Sequence, residues 1–210
     1  SALMQLADSS VTLDELVEYK HSTRMALADR VLPDLLAAAR ATGDADARKA
    51  ADVLEAWDRS TDAGSRGGVL FQAWVMQWYR DSKGKPFARE WRLDSALTTP
   101  SGLADAKVAA AALGAAARAT VKDHGALDVA YGDVNRLQFA GQDLPGNGGA
   151  GDPLGIFRVA YYAPGKDGKA AIIAGDTYYQ AVEFSNPVKA KVLTAYGNAT
   201  QPGSKHKGDQ

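Results

Sequence analysis

The sequence predicts an α+β fold, a helical half followed by a strand-rich half. Three observations carry this. Apolar residues recur at helical spacing through residues 10–124 and alternate with a period of two after residue 126. Composition shifts at the same point, from Ala, Leu, Asp and Arg to Gly, Tyr, Val and Ile. The second half is also cut into short runs by Gly- and Pro-containing turns, which favours antiparallel strands in series. The chain therefore divides into a helical subregion, 1–125, and a β-rich segment, 126–210.

The elements follow in order. Thr12 with Glu15 three residues on forms a capping box, and Leu13, Leu16 and Val17 make one apolar face behind it. Met25, Leu27, Ala28, Val31, Leu32, Leu35 and Leu36 form a broad stripe on a second helix, with a kink or break expected at Pro33. Gly43-Asp44 closes that helix and caps a third, "ADARKAADVLEAWD". Ser65 is the expected cap for "RGGVLFQAWVMQWYR", although Gly67 and Gly68 weaken its first turn. Residues 81–100 read as a loop. Thr99-Pro100-Ser101 is expected to open an alanine-rich helix that Gly125 ends. Then "VNRLQFAG", "IFRVAYYAP", "KAAIIAG", "TYYQAVEF" and "AKVLTAYG" read as strands, with "PGKDG" as a hairpin turn.

Composition narrows the function. Hydrophobic residues make up 46% of the 210, enough to bury a core. The 24 basic and 25 acidic residues are interspersed for a net charge of −1, so no basic stripe neutralises nucleic-acid phosphates. No apolar run approaches the roughly 20 residues that cross a bilayer, so neither nucleic acid nor membrane is an expected partner. The absence of cysteine excludes disulfides, thiolate catalysis and zinc-finger sites.

Several residue groups invite a chemical reading. The loop Gly146-Asn147-Gly148-Gly149-Ala150-Gly151 resembles a phosphate cradle in composition, but Gly155 leads into a strand and no Gly-Lys-Ser/Thr follows, so it reads as a structural loop. Ser204, His206 and Asp209 have triad chemistry but stand too close in sequence, because triad members arrive from separate segments. His206 reads as a loop-pinning residue. His21 and His124 lie far apart on helices and define no metal set. Trp57, Trp74, Trp78 and Trp91, with Phe71 and Tyr79, read as core packing rather than a ligand pocket. The acidic residues of the first helices, among them Glu15, Glu18, Asp29 and Asp34, read as solvated faces. Ser1 could serve as an N-terminal nucleophile, but it leads into a capped helix and reads as a boundary residue.

Five segments occur together in a recognisable order: "VLEAWDRSTDAGSRGGVLFQAW", "YGDVNRL", "LPGNGGAGDPLG", "GDTYYQAVEF" and "GNATQPGSKHKGDQ". In that order they resemble the C-terminal part of the β chain of the penicillin amidase family, N-terminal nucleophile hydrolases. The "WDRSTDAGSRG" form is nearest the acyl-homoserine-lactone and aculeacin acylase branch. The last segment resembles the family's closing pattern at Gly197, Pro202, Ser204, His206, Asp209 and Gln210, and departs from it at Asn198 and Lys205. The resemblance implies that the chain starts inside the β chain and stops one element short of its end. It implies strands contributing to a layered αββα core, a helical subregion beside it, and one fragment of a larger domain. It further implies an exported parent, periplasmic or secreted, matured by autocatalytic cleavage. That parent would hydrolyse a linear amide, such as an acyl-homoserine lactone, a lipopeptide or a β-lactam, without a cofactor. Its catalytic serine, oxyanion asparagine and calcium ligands would lie upstream. No catalytic, cofactor-binding or metal-binding residue is therefore expected in this chain, which alone would be inactive. Its expected partners are the remaining α and β chain segments and the small acyl amide. A non-catalytic α+β binding module is the alternative.

Overall fold

The computed structural model describes residues 10–139, 141–165, 167–194 and 203–205. Helix α1, Leu13–Lys20, begins with the expected capping box: Thr12 Oγ1 accepts from Glu15 N, and the Glu15 carboxylate accepts from Thr12 N. Helix α2, Ala26–Arg40, runs unbroken through Pro33, which lies on its exposed side. Helix α3, Ala45–Ala56, is capped by Asp44, whose Oδ1 accepts from Asp46 N at 2.9 Å and Ala47 N at 3.3 Å.

Helix α4, Gly68–Asp81, departs from expectation at its start. Ser65 does not cap it; its hydroxyl accepts from Trp57 Nε1 at 2.9 Å and donates to Asp58 Oδ1 at 2.6 Å. Gly67, at φ +128°, turns the chain into the helix instead. The 81–100 loop and its sequel also differ. Phe87–Arg89 (β1) pairs antiparallel with Ser101–Leu103 (β2), placing Phe87 opposite Leu103. Helix α5 accordingly spans Ala106–His124, not the stretch from Ser101. Asp105 caps it by accepting from Lys107 N and Val108 N, and Gly125 ends it at φ +82°.

The core lies among α2, α3, α4 and α5. Leu70, Phe71, Trp74, Val75 and Trp78 of α4 are fully buried, and the Trp74 and Trp78 rings stack at 4.7 Å. Ala109, Ala112, Leu113, Ala116 and Ala117 of α5 are buried against them. These small side chains let α4 approach closely enough for Trp74 Nε1 to donate to Ala109 O at 3.0 Å. Trp57 belongs to this core as expected, but Trp91 does not: it is 58% exposed on the loop after β1.

After α5 comes a single turn, α6 (Tyr131–Val134), and then the strands β3 (Asn135–Phe139) and β4 (Gln142–Pro145). A one-turn helix α7 (Gly151–Leu154) precedes β5 (Ala160–Pro164), β6 (Ala170–Gly175), β7 (Tyr178–Glu183) and β8 (Lys189–Thr194). The strands do not form one antiparallel sheet. Four of them make a sheet in the order β4-β3-β6-β5, in which β3 and β6 run parallel because the chain crosses over between them. β7 and β8 form a separate antiparallel ribbon. That ribbon is held to α1 by the ring contact of His21 with Tyr179 and by the ion pair of Lys191 with Asp14. No described helix is long and apolar enough to cross a membrane.

Candidate functional site

A cleft of about 480 Å³ separates the four-stranded sheet from the ribbon and the end of α1. Leu137, Leu144 and Ile172 line its sheet side, and Tyr179 and Leu193 its ribbon side. The period of two aims these side chains the same way from neighbouring strands. Lys20, His21 and Arg158 stand at its polar end.

The polar groups there bind each other. Lys20 Nζ ion-pairs with Asp176, donates to Phe157 O at 2.7 Å and lies 4.8 Å from the centre of the Phe157 ring. Asp176 Oδ2 also accepts from Val159 N at 3.2 Å. Arg158 Nε donates to Asn147 Oδ1 at 2.6 Å, and Tyr162 Oη donates to Asn147 O at 2.7 Å. Burial pushes the Tyr162 phenol up to about 12. The His21 ring meets Tyr179 edge-on at 5.6 Å. Burial, followed by the charges of Arg158 and Lys20, holds its pKa below the usual imidazole value against the opposing pull of Asp176. These surroundings favour the neutral imidazole. The Tyr179 hydroxyl is buried and has no hydrogen-bond partner among the described residues.

The glycine-rich loop supports this cleft. Gly146 N donates to Asn135 O at 2.7 Å and Gly149 N to Arg158 O at 3.2 Å, so these amides are spent on backbone. A Cβ on Gly146 would stand 2.6 Å from Tyr162 Oη, and one on Gly148 2.6 Å from Arg158 O. The glycines are there for close approach to the sheet. α7 follows the loop, where sequence reasoning led straight into a strand, but it is one turn long.

A second, polar cleft lies between the α1–α2 connection and residues 58–62. Asp62 accepts from Thr23 Oγ1 at 2.7 Å, and Asp58 from Ser60 N at 3.0 Å as well as from Ser65. The Thr23 bond ties the "WDRSTDAGS" stretch to the α1–α2 connection, as does Met25 N, which donates to Arg59 O at 2.9 Å. Asp29, exposed as expected, accepts from both Arg24 and Arg59 at this junction.

The remaining expectations fall as follows. His21 ends α1 and His124 ends α5. Among the described residues no group of three or more His, Cys, Asp or Glu could hold a metal. Ser204 lies among the described residues, whereas Ser1, His206, Asp209 and Gln210 lie outside them. The Tyr179–His21–Arg158 cluster was missed by sequence reasoning: its members sit singly in unrelated segments, and nothing local marks them.

The helices and strands together define an α+β protein whose cleft is built for packing. Its sequence matches the profile of the penicillin amidase family over residues 1–210, and the chain belongs to that family. It is 34% identical over 197 residues to the acyl-homoserine lactone acylase PvdQ of Pseudomonas syringae pv. tomato, which covers 87% of this chain and 25% of that protein. It is 30% identical over 210 residues to the acylase of the same name from Pseudomonas fluorescens (strain Pf0-1), covering 95% of this chain and 26% of that protein. The chain thus spans about a quarter of the length of the curated relatives it matches.

Proposed function

We propose that this chain is a structural segment of an acylase, an amidohydrolase that removes an acyl group from an amide. The observation carrying the reading is the 34% identity to an acyl-homoserine lactone acylase. Acyl-homoserine lactones are the first substrate class, with lipopeptides and β-lactams as related amides.

In this reading the chemistry is done outside these residues, by a serine freed at the head of the β chain. Its hydroxyl oxygen attacks the amide carbonyl while its α-amine takes the proton. An asparagine and backbone N–H groups hold the oxyanion. The amine leaves carrying that proton, and water then cleaves the acyl ester and restores the serine. This segment keeps the frame of that site within a layered αββα core. Its partners are the remaining segments of the same precursor, and the precursor is exported.

Two features support a scaffold role. Polar groups of the cleft bond one another, Lys20 with Asp176 and both Arg158 and Tyr162 with Asn147. Large apolar residues stand open on the β7–β8 ribbon and its connection, with Phe184 at 93% and Tyr178 and Val188 each at 62% exposure. The test is the intact mass of the complete gene's product together with acid release from a long-chain acyl-homoserine lactone. Two chains, one starting at a serine upstream of these residues, plus acid release are expected. A single unprocessed species inert to the amide would favour a binding module instead.

A further inference from the structure

We propose that the connection between β1 and β2, residues 90–100, docks on the surface of an anionic lipid bilayer. The lack of a spanning run excludes a crossing, not an interfacial contact of this kind.

This connection is exposed and yet firmly built. Every residue from Ala88 to Asp94 is exposed. The backbone beyond them closes on itself: Ser95 N donates to Arg92 O at 3.2 Å, and Thr98 N and Thr99 N each donate to Ser95 O at 3.0 Å. The buried Thr99 hydroxyl accepts from Arg92 N at 3.0 Å and donates to Ser95 O at 2.9 Å. Arg30 of α2 clamps the far end, donating to Thr99 O at 2.5 Å and to Ala96 O and Leu97 O at 3.2 Å each. Polar bonds thus hold the loop, and its large apolar side chains are left outside. Trp91 is 58% and Leu93 81% exposed, with Leu97 exposed four residues on. Arg92 between the first two is extended, at φ −138° and ψ 138°, so Trp91 and Leu93 project to the same side.

The surrounding charge selects the partner. Residues 83–94 carry Lys83, Lys85, Arg89 and Arg92 against Glu90 and Asp94, a net of +2 in a chain of net charge −1. All six are exposed. Arg92 pairs with Asp94, and the other three cations have no carboxylate partner among the described residues. Cations near an anionic leaflet are attracted to its phosphates over about 8 Å at physiological salt. Tryptophan settles at headgroup depth, and leucine reaches the acyl boundary. A protein partner fits less well. A large side chain buries about 150–250 Å². Three partly exposed ones fall short of the roughly 800 Å² that each partner gives to a stable protein interface. A bilayer asks for no matching shape.

The test is vesicle cosedimentation of the complete gene's product. It should bind vesicles of phosphatidylethanolamine and phosphatidylglycerol in equal parts at least about tenfold better than vesicles of phosphatidylcholine alone. Trp91→Ser with Leu93→Ser should lower that binding at least about tenfold at an unchanged melting temperature. Lipids brominated on their acyl chains should quench a tryptophan component of the unaltered protein that Trp91→Phe lacks, which decides the matter even where the double variant is unstable. No binding to either vesicle, equal binding by the folded double variant, or equal quenching in Trp91→Phe overturns the inference. So does self-association that needs Trp91 and Leu93, which would assign the loop to a second copy of the protein.

Discussion

Trp57 is the residue on which the 57–67 stretch turns. Its indole is 4% exposed and packs against Phe71 at 5.1 Å, while Nε1 reaches both Ser60 O and Ser65 Oγ. Gly67 passes so close that a Cβ there would lie 2.5 Å from Trp57 Cγ. Trp57→Ala should therefore cost about 3–5 kcal/mol, read by chemical denaturation; a near-native midpoint would refute the packing. His21 carries the pH dependence. Its folded pKa lies below 6.5, the unfolded value, so the native state favours the neutral ring. The associated stability is full above 6.5 and is lost as pH falls through the folded pKa. His21→Gln should flatten the fall in melting temperature between about pH 7 and 5. An unchanged slope would show that burial beside Arg158 and Lys20 does not set this titration.

Elements were legible where local chemistry suffices. The Thr12–Glu15 box and the Asp44 and Gly125 ends are local hydrogen bonds and dihedrals, and each stands where it was read. Asp44 also ion-pairs with Arg118 of α5 at 3.1 Å, which holds its carboxyl below the usual range. Asp44→Ala should lower stability by about 1 kcal/mol, mostly through the lost cap, since the pair is solvent-screened. A loss above about 3 kcal/mol in a denaturation series would mean that the pair with Arg118 matters more than the cap. The misread elements depended on distant partners. Ser101–Leu103 became a strand because Phe87–Arg89 lies alongside, and Ser65 lost its capping role to Trp57 and Asp58.

On the scale of the molecule, large apolar residues cluster in exposed positions on the β7–β8 ribbon. Val188 and Tyr178 are each 62% exposed, close to Phe184 in sequence. The 210-residue chain alone should therefore self-associate as concentration rises and bind an apolar dye, and the complete protein should do neither. A chain that sediments as a monomer across the range, dye-free, would mean that this surface needs no cover.

The α+β class, the helix ends at Thr12, Asp44 and Gly125, the strand segments β3 and β5 to β8 and the penicillin amidase kinship were determined by the sequence, because period, cap chemistry and motif order are local or linear properties. Strand order, the parallel β3–β6 pair, the exposure of Trp91 and the meeting of His21, Arg158 and Tyr179 were decided only by tertiary structure. Each depends on which distant surfaces bury one another, and Leu137 and Ile172 carry no local mark of the cleft they share.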